Sequence, residues 1–335
     1  MPSITSLLAV LTPREKERFL PEPLFSEVQS LSTKFRLIDP SEMTPEDFAA
    51  EVTAINPDVL IGCWETLPLP TELPPRLRYM CYLTGSVQRL ITRKQLEDGF
   101  LVTNWGPAIS RTVAECALFH TLACLRRSTH WTFKLHQDKG WREDDFDQVK
   151  SLFERKVGIH GYGSIARQFL KLIQPFDCDV SVFAPDFDDA AARQIGGTVA
   201  ESLESLFATN DIIVELAPLN PHTTRSVTET HLRSIRPGGV FVNVARAAIT
   251  DEDALLRVVS EGDLQVGLDV FVQEPLAPDS PWRGLRNVSL TPHIAGPTLD
   301  RYSDAGTLAL SNLRAYRDDH PLVAVITPEI LDRST

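Results

Sequence analysis

Arg246, Glu274 and His293 place a guanidinium, a carboxylate and an imidazole in succession along the second half of the sequence. A guanidinium grips a carboxylate through paired hydrogen bonds, and an imidazole passes a proton near neutral pH. A carboxylate beside that imidazole orients it and favours its charged form. Each of the three lies in a segment that directly follows an apolar run: Asn243 to Asp251, Gly267 to Pro275, and Thr291 to Gly296. Singly, each has a plainer use: His293 as a loop residue, Glu274-Pro275 as a surface turn, Arg246 as a partner for Asp251. In this order they predict one acid–base site acting on a carboxylate-bearing molecule.

A second pattern precedes them. Gly161-Tyr-Gly163-Ser164-Ile165-Ala166 is a GxGxxA loop between an apolar run and a helical stretch. Glycine at 161 permits a tight turn, glycine at 163 lets the backbone approach a pyrophosphate, and Ala166 lets the helix lie close to the sheet. The helix start then offers free N–H groups and a positive dipole end to the phosphates. His160, beside the loop, reads as structural. The acidic residue that commonly binds the ribose hydroxyls has no counterpart at Ala184, and the nearest carboxylate is Asp186.

Positioning these residues requires strands that run parallel and end on one side. From Lys156 onward, strands are predicted at 157–160, 180–183, 212–216, 240–244, 266–270 and 288–290, with helices near 164–174, 201–208, 228–235 and 251–261. Asp251, Glu252 and Asp253 read as capping and dipole charges on the last of these helices. An earlier alternation runs from a strand at 5–11 through helices at 13–31 and 44–55 to strands at 35–38, 59–62 and 77–83. Asn104 to Pro107 breaks it as a hinge. A long amphipathic helix follows, with Thr112 and Glu115 at capping-box spacing and Val113, Ala117, Leu118, Leu122 and Leu125 on one face. The polar stretch 128–150 stays unassigned, and a last helix spans roughly 299–319.

Composition narrows the partners. A chain of 335 residues has room for two domains, and 43% hydrophobic with 23% charged residues is a globular balance. A formal charge of -12 argues against binding a phosphate backbone, so no nucleic acid is expected. No apolar run is read as approaching the ~20 residues of a membrane span, and the start reads as a strand, not a signal peptide. The five cysteines, Cys63, Cys81, Cys116, Cys124 and Cys178, form no CxxC pair; they read as buried thiols in a cytoplasmic protein, and no metal is expected.

With these motifs in view, the sequence resembles the D-2-hydroxyacid dehydrogenase family, which includes glyoxylate/hydroxypyruvate reductases and phosphoglycerate dehydrogenases. The Gly161–Ala166 loop, Ala217-Pro218-Leu219, Pro237-Gly238-Gly239, Asn243 to Asp251, Leu268 to Pro275 and Pro292 to Gly296 carry the likeness. It implies an α/β protein: a Rossmann doubly wound NAD-binding domain, 107–297, inserted into a flavodoxin-like substrate domain, 1–106 plus 298–335. It also implies a homodimer joined through the helix near 110–127. Function by resemblance is reduction of a 2-keto acid to the D-2-hydroxy acid, or the reverse, with NAD as cofactor and NADP not excluded. Arg246 would hold the substrate carboxylate, His293 would donate the proton and Glu274 would partner it. Gly161, Gly163, Ser164, Ile165, Asp186, Ala217, Val244, Ala245, Asp269 and Gly296 would line the cofactor, with Asp269 at its carboxamide. Gly85 and Ser86, with Val87, would bind the substrate through backbone N–H groups. Glu274 stands where formate dehydrogenases have glutamine. This chain departs from the family pattern at Ala247, at Leu83 to Arg89 and at Ala184. Arg89 is either a second cation for the substrate or a solvated residue at a helix start. The competing reading is a non-catalytic, NAD-sensing corepressor-like binding protein of the same fold.

Overall fold

The computed structural model describes residues 4–142 and 148–333, and the chain divides into two compact units. The first comprises Met1–Ile109 and Pro297–Thr335, the second Ser110–Gly296. The short turn Gly106–Ile109 thus goes with the first unit, where the sequence suggested a break at 106.

The first unit opens with β1 (Ser6–Val10), α1 (Pro13–Phe19), α2 (Leu24–Ser30), β2 (Lys34–Ile38) and α3 (Pro45–Ile55). β3 (Val59–Gly62), β4 (Tyr79–Tyr82), α4 (Arg93–Glu97) and β5 (Leu101–Thr103) follow. All five strands are parallel, in the order β2-β1-β3-β4-β5, the flavodoxin arrangement. Each residue of β1 is buried, as expected of a central strand covered on both faces. One helix predicted over 13–31 is two, because Pro21 and Pro23 interrupt the hydrogen-bond ladder between α1 and α2.

In the second unit, α5 (Ser110–Leu125) and α6 (Ser128–His136) lead into β6 (Lys156–His160), α7 (Ser164–Ile173) and β7 (Asp179–Phe183). Next come α8 (Asp189–Ile195), β8 (Thr198–Val199), α9 (Leu203–Thr209), β9 (Ile212–Glu215) and α10 (Glu229–Ser234). β10 (Val240–Asn243), α11 (Glu252–Ser260), β11 (Gln265–Leu268) and β12 (Val288–Leu290) complete it. The chain then returns to the first unit as α12 (Tyr302–Arg317), packed on α1, α2 and β4, and α13 (Pro328–Arg333).

The second sheet has the order β12-β11-β10-β9-β6-β7-β8, all parallel, which is the Rossmann arrangement extended by one strand. The order reverses between β6 and β9, and there the carboxyl ends open a crevice. α5 packs on α7 and along β10 and β11, so more of it is covered than one stripe. His120 and Thr121 are fully buried, while Leu118 and Leu122 are half-buried. The helix also begins at Ser110, ahead of the anticipated Thr112 cap, because the Gly106–Ile109 turn runs straight into it. The stretch Gly106–Leu125 does reach the length and apolar composition of a membrane span, contrary to the sequence reading, and half of it is buried inside the protein. Its packing marks it as a core helix. Cys63, Cys81 and Cys124 are buried as expected, whereas Cys116 and Cys178 are half-buried.

Candidate active site

The carboxyl ends of β10, β11 and β12 lie side by side, because each strand pairs in register with the next. The segments leaving them carry Arg246, Glu274 and His293, so the sheet delivers all three to one edge. His293 Nδ1 lies 2.7 Å from Oε2 of Glu274, whose Oε1 accepts the Phe271 N–H at 2.9 Å. Partial burial opposes ionisation of Glu274. The hydrogen bonds from His293 and Phe271, and the charges of His293 and Arg246, outweigh it and hold the carboxyl below the usual range. An ionised carboxylate only accepts, so Nδ1 carries the hydrogen and Nε2 is the nitrogen through which the ring exchanges a proton.

Arg246 is exposed on the turn after β10. Asn243 braces that turn, donating to the Arg246 carbonyl at 3.0 Å and accepting the Ala245 N–H at 3.0 Å. Asp251 is not its partner: Asp251 pairs with Arg225 at 2.7 Å and caps α11 through the Ala254 N–H. Glu252 stands in the first turn of α11, as the sequence suggested, and also accepts the Val272 N–H at 3.2 Å, which steadies the loop that carries Glu274.

His293 has φ +54, a conformation that costs a non-glycine residue about 1 kcal/mol or more. Asp269 holds it there. The Asp269 carbonyl accepts the His293 N–H at 2.8 Å, and its carboxylate accepts the N–H groups of Ile294 and Ala295, each at 2.9 Å. Thr291 Oγ1 adds a third donor to the carboxylate at 2.6 Å. Asp269 is fully buried, so its evident work is to anchor the His293 loop, ahead of any contact with a carboxamide.

The dinucleotide loop meets the requirements of a pyrophosphate site. Gly161 has φ +93, and a Cβ there would lie 2.6 Å from the Ala217 backbone. Gly163 is exposed with nothing near its missing side chain, and no side chain caps the start of α7. The first-turn N–H groups, from Ser164 and Ile165, are therefore not taken by a cap. Ser164 Oγ accepts a hydrogen bond from Ser110 at 2.8 Å, and Ala166, in the first turn of α7, is fully buried. Ala217 and Val244 are buried, Ala245 and Gly296 half-buried, at neighbouring strand ends. Asp186 is exposed on the turn after β7, where the next residue, Phe187, packs on Tyr162 of the loop at 4.5 Å.

Sequence reasoning missed one pair at the crevice. His160 Nδ1 meets Glu215 Oε2 at 2.6 Å, both side chains buried, and Glu215 Oε1 accepts the Ala217 N–H at 2.9 Å. A histidine at a strand end was the only signal; its partner is hidden in an apolar strand.

Gly85 and Ser86 belong to the first unit and are half-buried after β4. The Gly85 carbonyl accepts from Asn104 at 2.9 Å. The Val87 side chain is buried in the core of that unit. Arg89 is exposed on a turn, and the next helix begins only at Arg93 behind a Thr92 cap, so Arg89 starts no helix.

A dinucleotide loop, an imidazole–carboxylate pair and a guanidinium on one Rossmann sheet define a dehydrogenase class. Residues 118–295 match the family described as D-isomer specific 2-hydroxyacid dehydrogenase, NAD binding domain. The chain is 30% identical over 253 residues to a hydroxyphenylpyruvate reductase of Plectranthus scutellarioides, covering 75% of this chain and 79% of the relative. It is 27% identical over 312 residues to a glyoxylate/hydroxypyruvate reductase of Arabidopsis thaliana, covering 92% and 93%. The crystal structure of a D-mandelate dehydrogenase from Rhodotorula graminis shares the fold, with a TM-score of 0.82 at 20% identity over 97% of this chain and 98% of that one. The protein belongs to the D-isomer-specific 2-hydroxyacid dehydrogenase family. It is an NAD-dependent oxidoreductase of 2-hydroxy acids with NAD(H) as its cofactor, and the corepressor-like alternative is not favoured.

Proposed function

We propose that this enzyme reduces a small 2-keto acid to the D-2-hydroxy acid, with His293 as proton donor, Glu274 as its partner and Arg246 as the substrate's carboxylate clamp. The observation that carries this is the 2.7 Å Glu274–His293 pair, with Nε2 as its exchanging nitrogen and the Arg246 charge acting on the same carboxylate. NADH supplies the hydride when bound. Arg246 fixes the substrate carboxylate in bidentate fashion and polarises the neighbouring keto group. The imidazolium at His293 gives its Nε2 proton to the keto oxygen as that oxygen gains charge, and Glu274 stabilises the ring while it is charged. In the oxidative direction the neutral ring takes the proton back.

The loop at Gly161 to Ile165 would hold the pyrophosphate, with Ala217, Val244, Ala245, Asp269 and Gly296 around the rest of the cofactor. Asp186 favours NADH over NADPH, because a carboxylate accepts ribose hydroxyls and repels a 2′-phosphate. Gly85 and Ser86 would contact the substrate through their backbone N–H groups. The assembly is a homodimer; exposed Phe119 on α5, with Leu135 and Trp141 following, supports a covered face on the second unit. The cytoplasm suits five unpaired cysteines.

The test is NADH oxidation against a panel of 2-keto acids, with NADPH alongside. Turnover with at least one keto acid, and a higher kcat/KM with NADH, is expected. A folded, NADH-binding protein inactive on the whole panel would refute the reading, and a preference for NADPH would refute the role of Asp186.

A further inference from the structure

Beneath the His293 loop lies a buried chain of polar side chains that neither the dinucleotide loop nor the acid–base pair uses. His120, on α5, is fully buried, with Nδ1 3.0 Å from Ser289 Oγ and Nε2 2.9 Å from Thr291 Oγ1. Thr291 Oγ1 is 2.6 Å from Asp269 Oδ1. The hydrogens along this chain follow from its end. An ionised Asp269 accepts only, so the single Thr291 hydroxyl hydrogen is donated to it. Thr291 must then accept from His120 Nε2–H, which leaves Nδ1 to accept from Ser289. Burial, partly opposed by Asp269, pushes the His120 pKa down to about 4, so the ring is neutral and one tautomer satisfies every bond. The thiol of Cys116 stands beside the same groups, kept protonated by burial and by the Asp269 charge, its pKa pushed up to about 12. Sulfur, nitrogen and oxygen of Cys116, His120 and Asp269 lie within 4.8 Å of one another, as in a metal site. Here both imidazole nitrogens and both carboxylate oxygens are already spent on protein partners. The imidazole also has a made place: a Cβ on Gly267 of β11 would lie 2.6 Å from His120 Cβ and 3.2 Å from Nδ1.

We propose that His120 is a positioning residue for the reaction, locking the Asp269 carboxylate through Thr291 so that Asp269 can hold the His293 loop in its left-handed turn. The link runs from α5 to the proton donor in three hydrogen-bonded steps, and it rests on the reading of His293 as that donor.

The experiment compares His120→Leu, which fills the space but breaks the chain, with His120→Gln, whose amide still donates to Thr291. Thr291→Val, which keeps volume and removes the relaying hydroxyl, repeats the test should His120→Leu not fold. Amide hydrogen exchange at Ile294 and Ala295, read against β11 amides in the free protein, is expected to speed up about tenfold in His120→Leu. kcat should fall by about the same factor while the NADH Kd, measured by fluorescence, stays within about twofold. His120→Gln should restore both. Unchanged exchange at those two amides, or unchanged kcat once they have loosened, overturns the proposal. A wild-type protein inactive on every 2-keto acid would instead remove the functional reading, and the exchange comparison would still decide whether His120 holds the loop.

Discussion

Two imidazole–carboxylate pairs stand at the carboxyl ends of the same sheet. Glu274–His293 spans 2.7 Å at the ends of β11 and β12; His160–Glu215 spans 2.6 Å at the ends of β6 and β9. Their environments differ. The His293 and Glu274 side chains are 50% and 35% exposed, those of His160 and Glu215 6% and 0%. The exposed ring can reach a substrate and water. The buried ring can only hold its neighbours: Glu215 fixes the Ala217 N–H, and Gly161 packs on that same backbone. A close imidazole–carboxylate contact therefore does not define an acid–base site. Access to the second ring nitrogen does, and without it the pair becomes a brace for the dinucleotide loop.

The largest effect should come from breaking the brace. Glu215→Leu leaves the Ala217 N–H and the His160 ring without their buried acceptor, which should cost about 3 kcal/mol or more of stability. Urea unfolding measures it, and a loss below about 1 kcal/mol would mean the pair is dispensable. Glu274→Gln should do the reverse. Stability should change by less than about 1 kcal/mol, as for other solvent-exposed pairs. Without the anion the imidazolium is less favoured, so the alkaline limb of keto-acid reduction should move toward acid. A superimposable pH–rate profile would separate Glu274 from the proton transfer.

A smaller effect sharpens the contrast. Burial disfavours charge on His160, and the charge and hydrogen bond of Glu215 more than offset this, so its pKa is raised. A raised folded value gives stability that is fully present below the ordinary imidazole pKa of about 6.5 and lost as pH rises through the folded value. The unfolding free energy should decline as pH rises above about 6.5, and His160→Gln should flatten that limb. Equal slopes in both proteins would contradict the raised pKa.

Much of the exposed site is legible in the sequence, because each of Arg246, Glu274 and His293 follows an apolar run that reads as a strand. The glycine loop is legible for the same reason. The supporting residues are not. Glu215 ends a strand whose other residues are apolar, and it meets His160 55 residues away. His120 sits mid-helix, 171 residues before Thr291. Only strand order brings such residues together, and periodicity carries no record of strand order. The edge strands β5 and β8, three and two residues long, are too short to show alternation. Asp269 was legible as a site residue, but its carboxylate serves the His293 loop, a role that depends on a backbone turn no residue type announces.

The central claim is that the exposed pair performs the chemistry and the buried pair does not. It is tested most directly by steady-state reduction of a 2-keto acid with His293→Ala, alongside NADH binding followed by fluorescence. The account predicts a fall in kcat of at least ~10²-fold, the usual contribution of a general acid, with NADH affinity nearly intact. Near wild-type turnover in His293→Ala would contradict it.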